Sequence, residues 1–362
     1  MAVNINNTNR VKSQVDEELE KLLLNKKANI KVIGVGGAGG NTIDRISEIG
    51  VFGAETIAVN TDAQDLLSTF AEKKVLLGKE LTSGLGAGSD PQVGEDAAKE
   101  SEQEIKELIK GAHMVFITAG MGGGTGTGAA PIVAELSKKM GILTVAIVTL
   151  PFTMEGQKRF ENAMRGIEKL QNHVDTLIVI PNDKLTELAP DLPLHTAFKV
   201  SDEILTNAVK GIAELITKPG LINLDFADVR TVMTSGGIAM IGVGESDTEN
   251  RAREAVEKAI SNPLLDVDIT GATGALINVV GGPNMTLDEA KAVCEQVTGR
   301  LADKANVIWG AQLTPDLQNT IRVMLVVTGV KSPQIFGQRQ TVAGKRKEEL
   351  SKNLDIDFID WK

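Results

Sequence analysis

The feature that most restricts the fold is the run Gly120-Met121-Gly122-Gly123-Gly124-Thr125-Gly126-Thr127-Gly128-Ala129-Ala130. An apolar stretch at 114–119 precedes it and reads as a buried strand. Pro131, Ile132, Val133 and Leu136 follow at helical spacing, with Pro131 in the first turn, where its missing N–H is no loss. Strand, glycine turn and helix in that order suit a phosphate. Glycine admits positive φ and lets backbone N–H groups approach a ligand. The helix start adds free donors and the positive end of a dipole. Thr125 and Thr127 add hydroxyls. The alternative is a flexible glycine linker, but such linkers seldom separate a buried strand from a helix.

A second glycine turn lies upstream. Residues 30–35 read as a strand, followed by Gly36-Gly37-Ala38-Gly39-Gly40-Asn41 and a helix led by Ile43 and Ile46. Gly34, Gly36 and Gly39 fit G-x-G-x-x-G, so a NAD site stays open at this point. There is no Gly-Lys-Ser/Thr and hence no Walker-type loop. Further strands are predicted at 55–59, 75–78, 143–148 and 175–180, with helices between them. This alternation over 29–190 predicts an α/β fold with a doubly wound, mainly parallel sheet. Ligands then sit at the carboxyl ends of strands. Asn60-Thr61-Asp62 lies at one such end, where the acid meets a ribose, holds water on a metal, or caps a helix starting near Ala63. The glycine-rich loop 82–91 is placed to close over a terminal phosphate, and 92–110 reads as one amphipathic helix. Glu155 and Arg159, four apart at a helix start, make either a surface pair or contacts to ribose and phosphate.

Composition narrows the classes. Acids exceed bases by 48 to 38 in 362 residues, which argues against a broad basic face for nucleic acid. The single cysteine, Cys294, excludes an internal disulfide and a cysteine-based metal site. His113, His173 and His195 lack ligand spacing. No signal peptide or membrane-spanning run is visible, so a cytoplasmic, reduced setting is expected.

The rest of the chain divides by pattern. Residues 1–28 carry Val15, Leu19, Leu22 and Leu23 at helical spacing and form an added helix or a loose arm. Residues 29–196 are the nucleotide-binding part. Residues 197–218 hold one long helix, roughly 30 Å at 1.5 Å per residue, closed by Lys218-Pro219-Gly220. Its first turns carry Phe198, a core residue or a stacking surface for a base, and Asp202, able to accept the paired N–H groups on one edge of guanine. Asp225 and Asp228 follow with capping-box spacing. The long helix sets them too far from their own nucleotide rim to act there, so any catalysis by them is on a neighbour. Residues 219–330 add a second, α+β domain, with strands at 237–244, 274–282 and 321–327, helices at 248–260 and 286–302, and Trp309 in or beside its core. A flexible linker, 331–352, leads to a tail, 353–362. In the tail, Leu354, Ile356, Phe358, Ile359 and Trp361 have no reason to be apolar unless something binds them, either a partner or, as the alternative, the chain's own domain.

The run 122–128 resembles the tubulin signature. Together with 36–41, Asn60-Thr61-Asp62, Leu85-Gly86-Ala87-Gly88, Pro151-Phe152-Thr153-Met154-Glu155-Gly156 with Arg159, Pro181-Asn182-Asp183-Lys184-Leu185 and Asn223 to Arg230, the chain resembles the FtsZ family of prokaryotic tubulin homologues, archaeal type, over about 29–330. The resemblance implies a cell-division GTPase with GTP/GDP, and Mg²⁺, as its ligands. It implies phosphate contacts at Gly36, Gly37, Ala38, Gly39, Gly40, Asn41, Gly124, Thr125 and Gly126. Glu155 and Arg159 then lie at ribose and phosphates, Asn182 also belongs to the nucleotide site, and Phe198 and Asp202 meet guanine. Asn223, Asp225 and Asp228 are implied to enter the next subunit's site in a head-to-tail filament at the division ring. A membrane-tethering division protein is the implied partner of the tail. Ser89-Asp90 depart from the Gly-Asn of many members. A scaffold that binds GTP without hydrolysing it is the remaining rival, with the Asn223/Asp225/Asp228 set arguing against it.

Overall fold

Backbone polar groups of a buried strand must be paired, and here one sheet pairs them all along the molecule. The computed structural model describes residues 28–330, except 189–193, 219, 223, 235, 266–268, 270, 271 and 303. The N-terminal extension, Asn223, the linker and the tail lie outside the described residues. Strands β1 (Ile30–Val35), β2 (Ala54–Asn60), β3 (Lys73–Leu76), β4 (Met114–Gly120), β5 (Leu143–Leu150) and β6 (Thr176–Pro181) build the first half. Strands β7 (Gly237–Ser246), β8 (Gly274–Gly281), β9 (Asn306–Leu313) and β10 (Ile321–Thr328) build the second. The order is β3-β2-β1-β4-β5-β6-β7-β10-β8-β9, a ten-stranded sheet. The first half is parallel throughout, as the alternation predicted. β10 pairs antiparallel with both β7 and β8. The two halves are joined through Thr176, Leu177 and Ile178 of β6, which run parallel to 237–239 of β7. Strand β9, whose polar and glycine positions hide its period, is absent from the sequence reading.

Side chains of β4 show how the layers arise. Met114 and Phe116 point into one core, while Val115, Ile117 and Ala119 point into the other, the period of two that a strand buried on both faces requires. One face is covered by helices α4 (Pro91–Glu100), α5 (Glu102–Ile109), α6 (Thr125–Lys139) and α7 (Gln157–Gln171). The other carries α1 (Gly36–Ile49), α9 (Leu194–Thr217) and α10 (Phe226–Thr234). Short helices α2 (Ala63–Ser68), α3 (Lys79–Thr82) and α8 (Asn182–Leu188) fill the connections. Helices α11 (Arg251–Ile260) and α12 (Leu287–Thr298) cover the second half on the face away from α9.

The long helix α9 has 24 residues and spans about 36 Å. Leu205, Ala208, Val209, Ile212 and Leu215 pack against Met114 and Val145 of the first half and against Leu276, Met324 and Val326 of the second. It is therefore a shared spine under both halves.

Three local details differ from the pattern-based expectations. The turn after β1 is already helical, since α1 starts at Gly36. Residues 92–110 form two helices, broken at Ser101, whose Oγ accepts from the Gly78 amide at 3.1 Å. The loop 82–91 is braced, with Asp62 bridged to Leu85 and Asp90 Oδ1 accepting from the Gln92 amide at 2.9 Å to cap α4. Ser89 there has φ 62°, a left-handed conformation that glycine adopts without strain. Asp90 caps α4 as an asparagine would.

Helices α4, α6 and α7 meet where a side chain has no room. A Cβ on Gly128 would stand 2.0 Å from the Pro91 carbonyl oxygen, and one on Gly166 would stand 2.4 Å from Thr127 Cγ2. Gly128→Ala is expected to lower unfolding stability by about 1–3 kcal/mol, the usual penalty of overpacking, read from the denaturant midpoint. An unchanged midpoint would mean these helices separate freely.

Candidate functional site

Both glycine turns leave parallel strands at their carboxyl ends, β1 into α1 and β4 into α6, so the two helix starts lie side by side. A Cβ on Gly36, at φ 72°, would stand 3.0 Å from the Gly126 amide nitrogen and 3.2 Å from Thr125 Cβ. Gly122, at φ 109°, donates its amide to Thr127 Oγ1 at 2.8 Å. The hydroxyls of Thr61 and Thr125 are 2.6 Å apart and tie the end of β2 to the same corner. A cavity of about 310 Å³ opens above these turns.

Twelve of the expected nucleotide residues line it: Gly36, Gly37, Ala38, Asn41, Gly124, Thr125, Gly126, Glu155, Arg159, Asn182, Phe198 and Asp202. Gly39 and Gly40 do not. They are buried, and a Cβ on Gly39 would meet the Thr118 carbonyl oxygen at 2.6 Å, while one on Gly40 would meet Thr69 Oγ1 at 3.1 Å. Their smallness lets α1 settle against its neighbours, while Gly36, Gly37, Ala38 and Asn41 face the cavity. Asp62 is the helix cap among its three alternatives, its Oδ1 accepting from the Gln64 and Asp65 amides at 2.9 and 3.1 Å.

The far wall is built by packing. Glu155 Oε1 accepts from the Phe152 amide at 2.9 Å, and its Oε2 pairs with Arg159. The surface pair and the cavity wall are thus the same two residues. An exposed ion pair contributes at most about 1 kcal/mol, so a bound anion can compete for this guanidinium. Phe198 stands edge-on to buried Phe152, with ring centroids 5.1 Å apart, and remains 41% exposed on the cavity side of the core. Ser201 and Thr149, both unremarked in the sequence, also line the cavity. Ser201 Oγ donates to Asn182 Oδ1 at 2.9 Å, which fixes the orientation of the Asn182 side chain. Only its position one residue before Asp202 hinted at Ser201.

The acids of the 223–230 stretch are elsewhere. Asp225 and Asp228 are exposed at the start of α10 and do not line the cavity. Asp225 Oδ1 accepts from the Ala227 amide at 3.2 Å, so it does cap the helix.

Comparison with known proteins decides the family. The family model described as Tubulin/FtsZ family, GTPase domain, matches residues 29–190, and that described as FtsZ family, C-terminal domain, matches 237–331. The chain is 60% identical to Cell division protein FtsZ 1 of Thermococcus kodakarensis, over 97% of this chain and 94% of that protein. It is 61% identical to Cell division protein FtsZ 1 of Methanocaldococcus jannaschii, over 93% and 92% of the two chains. The chain belongs to the FtsZ family. The solved structure of an M. jannaschii FtsZ dimer superposes with a TM-score of 0.84 at 61% identity, covering 88% of this chain and 92% of that one. The FtsZ fold therefore places this sheet, and the FtsZ activity is that of a tubulin-type cell-division GTPase. The dinucleotide alternative raised by Gly34, Gly36 and Gly39 is set aside by the same match. No helix among the described residues is long and apolar enough to cross a membrane.

One group in this FtsZ cavity has an unusual acidity. Burial pushes the Asp202 carboxyl up from 3.8 to about 7. Unfolded, it titrates near its ordinary value, so the folded state holds the extra proton between about pH 4 and 7. Without nucleotide, this residue therefore removes stability as pH rises through that window. The expected outcome is a difference in unfolding midpoint between Asp202→Asn and the natural protein that grows in favour of the variant from pH 4.5 to 7.5. A difference that does not vary with pH would show that Asp202 titrates normally.

Proposed function

We propose that GTP is bound at this cavity and hydrolysed only when a second copy of the chain completes the site. In this reading, residues 29–196 bind nucleotide, the helix 197–218 separates nucleotide from acids, and 219–330 present the acids to the neighbour. Gly36 to Asn41 and Gly124 to Gly126 hold the phosphates with backbone N–H groups at two helix starts. Glu155 and Arg159 meet ribose and phosphates, Asn182 donates its side-chain amide to the nucleotide, Phe198 packs on the base, and Asp202 accepts from guanine.

The observation that carries this reading is the separation of Asp225 and Asp228 from the cavity by an α9 of about 36 Å. They cannot reach the phosphates of their own chain. In a head-to-tail contact they orient and polarise the attacking water on the neighbour, with Asn223 beside them. Phosphoryl transfer to water needs mainly positioning and charge stabilisation, which a split site supplies. A head-to-tail contact is heterologous and does not close, so it extends into a filament, and hydrolysis weakens the contact. The M. jannaschii structure bears the description of an FtsZ dimer, which supports self-association here.

Among the described residues, no cluster of three or more His, Cys, Asp or Glu could hold a metal. We assign Mg²⁺ to the phosphate oxygens and water, with Asp65 the carboxylate nearest to Gly37. The ion would neutralise charge on the phosphates. In the cell, such filaments form a ring at the division site, and the tail residues Leu354, Ile356, Phe358, Ile359 and Trp361 bind a membrane-tethering division protein.

Phosphate release per subunit, measured against protein concentration, tests the split site. Near-zero turnover at low concentration and a sharp rise above a threshold are expected. Turnover independent of concentration would place the catalytic groups within one chain. Asp225→Ala is expected to bind GTP normally and lose at least about a hundredfold in turnover. Loss of GTP binding in that variant would contradict the assignment. Because a protonated Asp202 cannot accept both guanine N–H groups, GTP affinity is expected to fall by up to about tenfold per pH unit below 7. Asp202→Asn should bind more weakly and without that slope, as titration calorimetry across pH 5.5–8 would report.

A further inference from the structure

An open groove of about 460 Å³ lies at the opposite end of α1 from the nucleotide cavity. Ile46, Gly50 and Val51 form one wall, Ala54 the floor, and Phe70 and Ala71 the other wall. Phe70 is 73% exposed there, and Phe52 and Ile49 beside the groove are 52% and 38% exposed. The turn bearing Phe70 is held in place: its amide donates to Asp44 Oδ1, its carbonyl accepts from Ser47 Oγ at 2.7 Å, and the Glu72 amide donates to Thr56 Oγ1 at 3.2 Å. An apolar side chain fixed in water by three hydrogen bonds is a surface prepared for contact.

The chain itself supplies an occupant at this spot. Ile30 pairs with Ala54 of the groove floor, one strand spacing of about 4.8 Å away. Ala28 packs on the same core cluster as Val51, Ala54 and Ala71. Twenty-seven residues precede Ala28, and the nearest carry Val15, Leu19, Leu22 and Leu23 at helical spacing. Leu23 is five residues from Ala28, a reach of about 8 Å in a helix and about 17 Å extended. Asp16, Glu17, Glu18, Glu20 and Lys21 lie between Val15 and Leu22, so the segment is net acidic and the contact is carried by its apolar side chains, not by charge. The C-terminal tail starts farther off: it follows β10, six strand positions from β2 and about 29 Å away, and meets the groove only if the 331–352 linker crosses that distance.

We propose that the groove between α1 and the 70–72 turn is the docking site of the chain's own N-terminal segment, residues 15–23. That segment seats Val15, Leu19, Leu22 and Leu23 on Ile46, Val51 and Phe70. The exit point is tied to the acid-bearing helix, since the Asn29 amide donates to His113 Nδ1 at 2.9 Å and the His113 ring meets Phe226 at 6.1 Å. This inference does not rest on the catalytic reading.

Amide hydrogen exchange on the full chain without nucleotide tests it. The Leu19→Asp/Leu22→Asp double variant is expected to speed exchange at residues 51, 70 and 72 about tenfold or more, leaving 276–279 unchanged. Unchanged exchange at the groove overturns the proposal. So does the same acceleration in Phe358→Asp/Trp361→Asp, which would make the tail the occupant. Groove protection that rises with protein concentration would make it a second copy. A cysteine pair, Leu22→Cys with Ala71→Cys, gives an independent reading and keeps the hydrogen bonds that hold the Phe70 turn. Cys294 is buried with its thiol pushed up to about 12, so it does not compete. An intrachain disulfide formed at every protein concentration supports docking, and its absence overturns it.

Discussion

The structure depends on one close approach, that of two glycine turns at the carboxyl ends of adjacent parallel strands. β1 and β4 are paired in register from Ile30 with Met114 to Val35 with Ala119, so their following turns must share a corner. At that corner any side chain on Gly36 would press on Gly126 and Thr125. Two helix starts can then aim their free N–H groups at one point, which neither turn achieves alone. The Thr61–Thr125 hydroxyl contact brings a third strand end to the same place. The cavity is a consequence of strand pairing before it is a consequence of any particular side chain.

The second organising element is α9. Its apolar face packs on both halves of the sheet, and its two ends are functionally unlike. Phe198, Ser201 and Asp202 at one end wall the cavity, while the other end leads to Asp225 and Asp228. Thr217 Oγ1 donates to the Phe52 carbonyl oxygen at 2.6 Å, which fixes that lower end against the β2 side of the first half. A rigid rod between the cavity and these acids is the physical reason for the division of the site between molecules that we propose. It also gives both faces of the subunit a defined separation.

Glycines in this chain serve two purposes that the sequence alone does not separate. Gly36 and Gly122 take positive φ at the cavity. Gly39, Gly40, Gly128 and Gly166 instead make room for close packing of backbone and helices. Within Gly36-Gly37-Ala38-Gly39-Gly40-Asn41 the division follows the helix: the first turn of α1 faces the cavity, and the next positions rotate into the core. A pattern such as G-x-G-x-x-G records that small residues are needed, not which need it serves. Asp62 and Asp225 carry the same ambiguity, since both lie where an acid would be useful and both cap helices.

Much of the fold was legible in advance because long periodic segments alternate cleanly from 29 to 190, and strand-turn-helix order fixes where a ligand site lies. The length of α9 was legible too, and with it the exclusion of Asp225 and Asp228 from their own chain's cavity. Hydrophobic period and helical rise are local quantities, so a linear sequence determines them. Tertiary structure alone decided what depends on atoms distant in the chain. It decided that the two halves share one sheet through 176–178 and 237–239, that β9 is a strand, and that Ser101 breaks a helix to satisfy Gly78. It also decided that Ser201 orients Asn182 and that burial holds Asp202 near pH 7. Each of these is set by which surfaces meet in space, and burial has no value until the chain has folded.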